Sequence, residues 1–126
     1  MTEQGTNFQF LERFDKRVAQ LAKQAEEYVH SDPDSCMFKL RLMIETMAKK
    51  LSKLQMRQDI SQDLGSMLGA LERNGIVPRR QADNMHAIRR DGNAAVHGNP
   101  TPVPTAMRRL KEAYKISGWF CKIIKR

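Results

Sequence analysis

From Phe8 onward the apolar residues of this chain fall three and four positions apart. Leu11, Phe14, Val18, Leu21, Ala25 and Tyr28 line one face of a helix, which the spacing carries to about Val29. Ser31-Asp32-Pro33 interrupts it. Asp32 has the side chain of an N-cap, and Pro33 suits the first position of a new helix. Cys36, Leu40, Met43, Ile44, Met47, Ala48, Leu51 and Leu54 then form a wide apolar stripe, the pattern of a central core helix. Lys39, Arg41, Lys49, Lys50 and Lys53 occupy its other face. Glu45 stands four residues before Lys49, a favourable order for an exposed ion pair.

A connector follows from Gln55 to Ile60. Asp59 or Ser61 is placed to cap a short third helix with Leu64, Met67, Leu68 and Leu71 inward, and Asn74-Gly75 stops it. Pro78 opens a fourth helix that passes through Ala82, Met85 and Ile88. Between Gly98 and Pro104 three prolines at alternate positions predict a stiff, extended loop. A last helix, starting near Pro104 or Thr105, carries Leu110, Ala113, Tyr114, Ser117, Trp119, Phe120, Ile123 and Ile124. No segment alternates with the period of a strand. The expectation is an all-α protein, an up-and-down bundle of four to five helices. Residues 1–7 are expected to form a disordered tail and 8–126 a single helical domain.

Composition agrees: aromatic residues are sparse at 6% while methionine is frequent at 8, which favours helices over sheet. Cys36 and Cys121 both fall inside apolar helical patterns and are expected as buried free thiols. No metal-ligand spacing occurs, and no cofactor is expected. No apolar run approaches membrane-spanning length and the first residues do not read as a secretory signal, so a cytoplasmic location is the expectation. Charge adds more. Residues 1–63 hold 10 Lys/Arg against 10 Asp/Glu, whereas residues 64–126 hold 12 against 4, so the whole net charge of +8 lies in the second half. A one-sided basic surface suits nucleic acid or an acidic partner.

The same half contains the candidate chemistry, in Arg89-Arg90-Asp91-Gly92-Asn93-Ala94-Ala95-Val96-His97-Gly98. On a helix Arg90, Asn93 and His97 share a face at i, i+3 and i+7. Gly92, at a position where glycine costs about 1 kcal/mol relative to alanine, marks a close helix contact. His97 has the residue type of a general acid or base, Arg90 presents a planar fork of donors suited to a phosphate, and Asn93 is placed to orient either. Arg90, His97 and Asn93 are thus the candidate catalytic set. Arg89, Arg90, Arg108, Arg109 and Lys111 are the candidate nucleic-acid contacts. The opposing reading gives Asn93 and His97 to backbone groups at a helix end and Arg90 to a carboxylate such as Glu45 or Asp83.

Several separated segments resemble one bacterial domain family. They are Asn7-Phe8-Gln9-Phe10-Leu11, Ala25-Glu26-Glu27-Tyr28, Asp32-Pro33-Asp34-Ser35-Cys36, Lys39-Leu40-Arg41 with Glu45, Pro78-Arg79, His86 to Arg90, Gly92 to His97, and Trp119-Phe120. The family is similar to the N-terminal helical domain of type I restriction enzyme R subunits and related helicase-like defence proteins. More distantly, an arginine followed by a histidine late in a helical bundle resembles the HEPN superfamily, many of whose members are metal-independent ribonucleases and often dimeric. That resemblance implies Arg90 and His97 as the pair, with six residues between them. In the motif's tighter form Gly92 would take the arginine position.

The first resemblance implies a non-catalytic accessory domain of a restriction-modification or phage-defence system. Its partners would be other subunits or domains of the complex, with DNA or RNA contacted through the basic half. The second implies a small ribonuclease acting as a homodimer. The chain has no Walker-type Gly-Lys-Ser/Thr loop and no restriction-nuclease carboxylate set with a lysine, so neither ATPase activity nor DNA cleavage is expected of these residues. The chain ends almost where the resembling domain ends, the expectation for a piece of a larger polypeptide.

Overall fold

The computed structural model describes residues 6–56 and 63–125. Five helices follow one another: α1 (Lys16–Tyr28), α2 (Pro33–Leu51), α3 (Leu64–Arg73), α4 (Arg79–Val96) and α5 (Val103–Lys125). No strand occurs among the described residues. They form the expected all-α bundle. α2 is central and packs against each of the other four helices. Cys36, Met37, Leu40, Met43, Ile44, Met47, Ala48 and Leu51 bring its apolar stripe entirely inside. Three side-chain ties join α1 to α2, α2 to α4 and α4 to α5. Asp15 before α1 meets Lys50 at the end of α2, Arg41 of α2 meets Asn93 late in α4, and Asp91 of α4 meets Arg109 early in α5.

The caps explain most boundaries. Asp32 accepts from the Ser35 amide at 3.2 Å with Pro33 at the first helical position, as its residue type predicts. Gly75, with φ +73°, follows the end of α3 in the left-handed conformation that Asn74-Gly75 announces.

The first predicted helix is two pieces. Gln9–Arg13 form a 3-10 turn, and α1 begins only at Lys16. Asp15 explains the break, because its Oδ1 accepts from the Val18 amide at 3.0 Å, which makes it an N-cap rather than a mid-helix residue. Phe8 and Leu11 are still buried. α3 is capped by Asp63, whose Oδ1 accepts from the Ser66 amide at 2.9 Å. The expected caps Asp59 and Ser61 lie outside the described residues, as do residues 1–5 of the expected tail. Asn7 is bonded to Glu26 of α1.

The stripe of α2 does not extend to Leu54, which is 53% exposed. After Leu51 the chain continues as a π-helical turn, Ser52–Met56, whose wider winding rotates the stripe out of register. On α5, Leu110 is only half-buried, and Ala106 and Ile116 take core positions that the spacing argument had not assigned. Both cysteines are buried and free, and burial pushes the Cys36 thiol up to about 12. No helix among the described residues is long and apolar enough to cross a membrane.

Lys50 is not part of a solvated face. Its Nζ donates to Asp15 Oδ2 at 3.0 Å and to the Phe14 carbonyl at 3.2 Å. Burial alone would raise the Asp15 carboxyl, but hydrogen bonds from the Val18 amide and Lys50 outweigh it and hold the group below its ordinary value. The resulting stability is fully present above the ordinary aspartate value of about 3.9 and is lost as pH falls through the lowered one. Asp15→Asn should therefore flatten the acid-side loss of stability in urea titrations as pH falls below about 4. An acid-side slope equal to the parent's would count against this role.

Candidate functional site

The last turns of α4 lie against α2, and Gly92 sets the distance. A Cβ there would stand 2.8 Å from Arg41 Cβ and 3.2 Å from the Met37 carbonyl oxygen, so only glycine permits the approach. The close contact predicted for this residue is present. It puts the neighbouring Asn93 within reach of α2, where Asn93 Oδ1 accepts from Arg41 Nε at 2.7 Å. Arg41 also pairs with Glu45 at 3.7 Å, and Glu45 with Lys49 at 3.5 Å, the second pair as expected from spacing. Arg41 had been placed on the outer, basic face of its helix. It is instead half-buried and forms the α2 side of the seam.

A charge-assisted hydrogen bond of this kind contributes on the order of 1–3 kcal/mol. Arg41→Met and Asn93→Ala, measured singly and together by urea unfolding, should show a coupling of about 1 kcal/mol or more. Additive losses would mean that the two side chains act independently.

A second tie joins α4 to α5. Arg109 donates from Nε to Asp91 Oδ2 at 2.6 Å and from Nη1 to Glu112 Oε1 at 2.6 Å. Burial works against the Arg109 charge, but the two carboxylates outweigh it and hold the guanidinium more firmly protonated. Both its neighbours are therefore internal, and its donors face carboxylates rather than open solvent. Arg89 is half-buried, with its guanidinium carbon 3.4 Å from where a Cβ on Gly65 of α3 would stand. Beside it His86 is half-buried. Burial first, and then the Arg89 charge, lower its pKa, so it is a poorer cation than a free histidine.

Arg90 and His97 are placed differently. Both are exposed. Among the described residues Arg90 forms no ion pair; of its expected partners, Glu45 pairs with Arg41 and Lys49 instead, and Asp83 is in no ion pair. His97 is the C-cap of α4. Its backbone N–H bonds the Asn93 carbonyl at 3.1 Å, and Gly98, with φ +87°, turns the chain away. Its imidazole has no hydrogen-bond partner among the described residues. The expected occupation of the His97 side chain and the expected carboxylate on Arg90 are both missing among the described residues. Arg90 and Asn93 lie on α4 and His97 just past its end, and the bundle gives Asn93 to the seam and the other two to the surface. A cavity of about 180 Å³ beside the following loop is lined by Asp91, Ala94 and residues 99–102 with Thr105, and takes in neither. Arg108 and Lys111 of α5 are exposed.

The profile of a domain of unknown function, DUF4145, matches residues 23–118, from within α1 to within α5. The chain belongs to this family. The matched span holds the whole Arg41–Asn93 seam and the Asp91–Arg109–Glu112 tie, so both lie in the part that defines a DUF4145 domain. In an alignment of 125 positions that covers 94% of its length, the chain is 25% identical to the type I restriction enzyme EcoKI endonuclease subunit of Escherichia coli (strain K12). It spans only 10% of that relative. It is therefore a DUF4145 domain related to a restriction-enzyme subunit. No solved structure matches it.

Proposed function

We propose that this chain is a non-catalytic helical accessory domain of a bacterial restriction or phage-defence system, and that it acts by docking to other subunits or domains. One observation carries the reading. Nearly the whole chain aligns with a tenth of a protein that is itself one subunit of an enzyme. A folded tenth without ATPase or nuclease motifs contributes to such a protein by association. The chemistry of the candidate cluster supports this. Asn93 is spent on Arg41, while Asp91 and Arg109 are spent on each other. Arg90 and His97 stand on open surface, where a phosphate would stay hydrated and a proton-transfer pair would lack an enclosing wall.

Two measurements test it. With RNA and excess chelator, the chain should leave the RNA intact. Robust metal-free cleavage that is abolished by Arg90→Ala and by His97→Ala, with helical spectra unchanged, would overturn the proposal in favour of a HEPN-type ribonuclease. Deleting the matching segment from the E. coli subunit should weaken its co-purification with the rest of its enzyme. Undiminished assembly would count against docking.

A further inference from the structure

On α5, Met107, Leu110 and Tyr114 recur at i, i+3 and i+7 and so share one face. The bundle does not close over it: Met107 is 38% and Tyr114 49% exposed. Between this face and α1 lies a cavity of about 370 Å³ walled by Phe8, Leu110 and Tyr114. The Tyr114 ring meets Phe8 and Phe10 edge-on, with centroids 5.8 Å apart in each pair and interplanar angles of 73° and 85°. Such edge-to-face pairs hold the aromatic wall in place.

Charge on the rim is one-sided. The single acid lining the cavity, Glu26, is already engaged: its oxygens accept from the Asn7 amide at 3.2 and 3.3 Å and from Asn7 Nδ2 at 3.0 Å. Along the other edge, Arg108, Lys111, Lys115 and Lys122 recur at i, i+3, i+7 and i+14, all exposed. None of the four forms an ion pair among the described residues, and Lys111 and Lys115 line the cavity itself.

We propose that this groove is the docking site for an acidic amphipathic helix of a partner protein, with one apolar side chain seated against Phe8, Leu110 and Tyr114 and flanking carboxylates on Lys111 and Lys115. The inference rests on the docking reading and names the partner's chemistry. An apolar slot with helical charge spacing on one edge is the surface that an amphipathic helix fills. Unanswered cations along that edge favour an acidic partner and repel a basic one. A nucleic-acid strand fits less well. The rings stand nearly perpendicular and share no plane for stacking successive bases, and base edges would be buried against apolar walls without partners.

The test uses the isotope-labelled full chain and three probes. Two are helical peptides of about five turns with the same leucine and phenylalanine face, one carrying glutamate and the other lysine beside it. The third is oligothymidylate. The acidic peptide should shift the amides of Phe8 and of Met107 to Lys115. Its affinity should fall about tenfold or more in a Lys111→Glu, Lys115→Glu double variant, which changes only exposed side chains and so keeps its fold. Arg90→Ala should leave its binding unchanged. The proposal is overturned if the acidic peptide leaves these amides unmoved, if the double variant binds it equally, or if the basic peptide or the oligonucleotide takes the groove in preference. It is also overturned if removing residues 1–5 alone reproduces the shifts, since the chain would then fill its own groove. Shifts confined to α4 around Arg90 and His97 would end the groove assignment while leaving docking in place, whereas metal-free RNA cleavage would end the docking reading itself.

Discussion

Gly92→Leu should unfold the bundle or drive it into aggregates. The atom that a side chain would meet first is Arg41 Cβ at 2.8 Å, fixed to the backbone of α2, with the Met37 carbonyl oxygen at 3.2 Å behind it. Neither can rotate away, so α2 and α4 must separate. Separation opens one of the two most extensive interfaces of the central helix and breaks the 2.7 Å bond between Arg41 and Asn93. Overpacking alone typically costs about 1–3 kcal/mol and occasionally more, and here the lost helix packing and hydrogen bond add to it, against a domain stability of about 5–15 kcal/mol. The milder Gly92→Ala gives a sharper reading of sign. In a helix interior that change ordinarily stabilises by about 1 kcal/mol, whereas at Gly92 it should destabilise. Gly118, inside α5 with nothing within 4 Å of its would-be Cβ, is the internal control, where alanine should stabilise. A leucine variant at position 92 that keeps the parent's thermal midpoint and oligomeric state would refute the close-packing account.

Ile44→Ala and Leu51→Ala should each cost about 2–5 kcal/mol, the range for large-to-small changes at fully buried sites. Both side chains are wholly buried on the one helix that touches every other. Around them, Leu40, Met43 and Met47 are also fully enclosed, so deletion leaves a cavity whose lining loses its dispersion contacts. Urea unfolding reports the loss as a shift in midpoint at constant slope. Losses under about 0.5 kcal/mol at both positions would show that α2 is not the core helix.

Much of this architecture is local physics and so is written in the sequence. Spacings of three and four residues identify α2 and α3 because an apolar stripe must turn inward. Asp32 with Pro33, and Asn74 with Gly75, mark helix ends through interactions that span three or four residues. Gly92 announced a close approach because nothing else offsets the cost of glycine inside a helix. Asp15 shows where even local reading slips. The residue serves equally as a helix surface position or as an N-cap, and the choice is made by Lys50, which is distant in sequence and supports the capping carboxylate at 3.0 Å.

The candidate site divides along the same line. Its residue types and spacing belong to the sequence: Arg90 and Asn93 stand three residues apart on α4, and His97 caps its end. Which of them is free depends on what the bundle sets opposite. Arg41 looked like one more outward cation until Gly92 let α4 come near enough for Asn93 to claim it. Arg109 read as a phosphate contact until Asp91 and Glu112 enclosed it. The α5 groove belongs to the tertiary structure, since it exists only because Phe8 and Tyr114, far apart along the chain, meet as its wall. Periodicity tells a helix which face to bury. Pairings between charged and polar side chains act over a few ångströms, and only the packed bundle brings residues 52 or more positions apart, such as Arg41 and Asn93, within that distance.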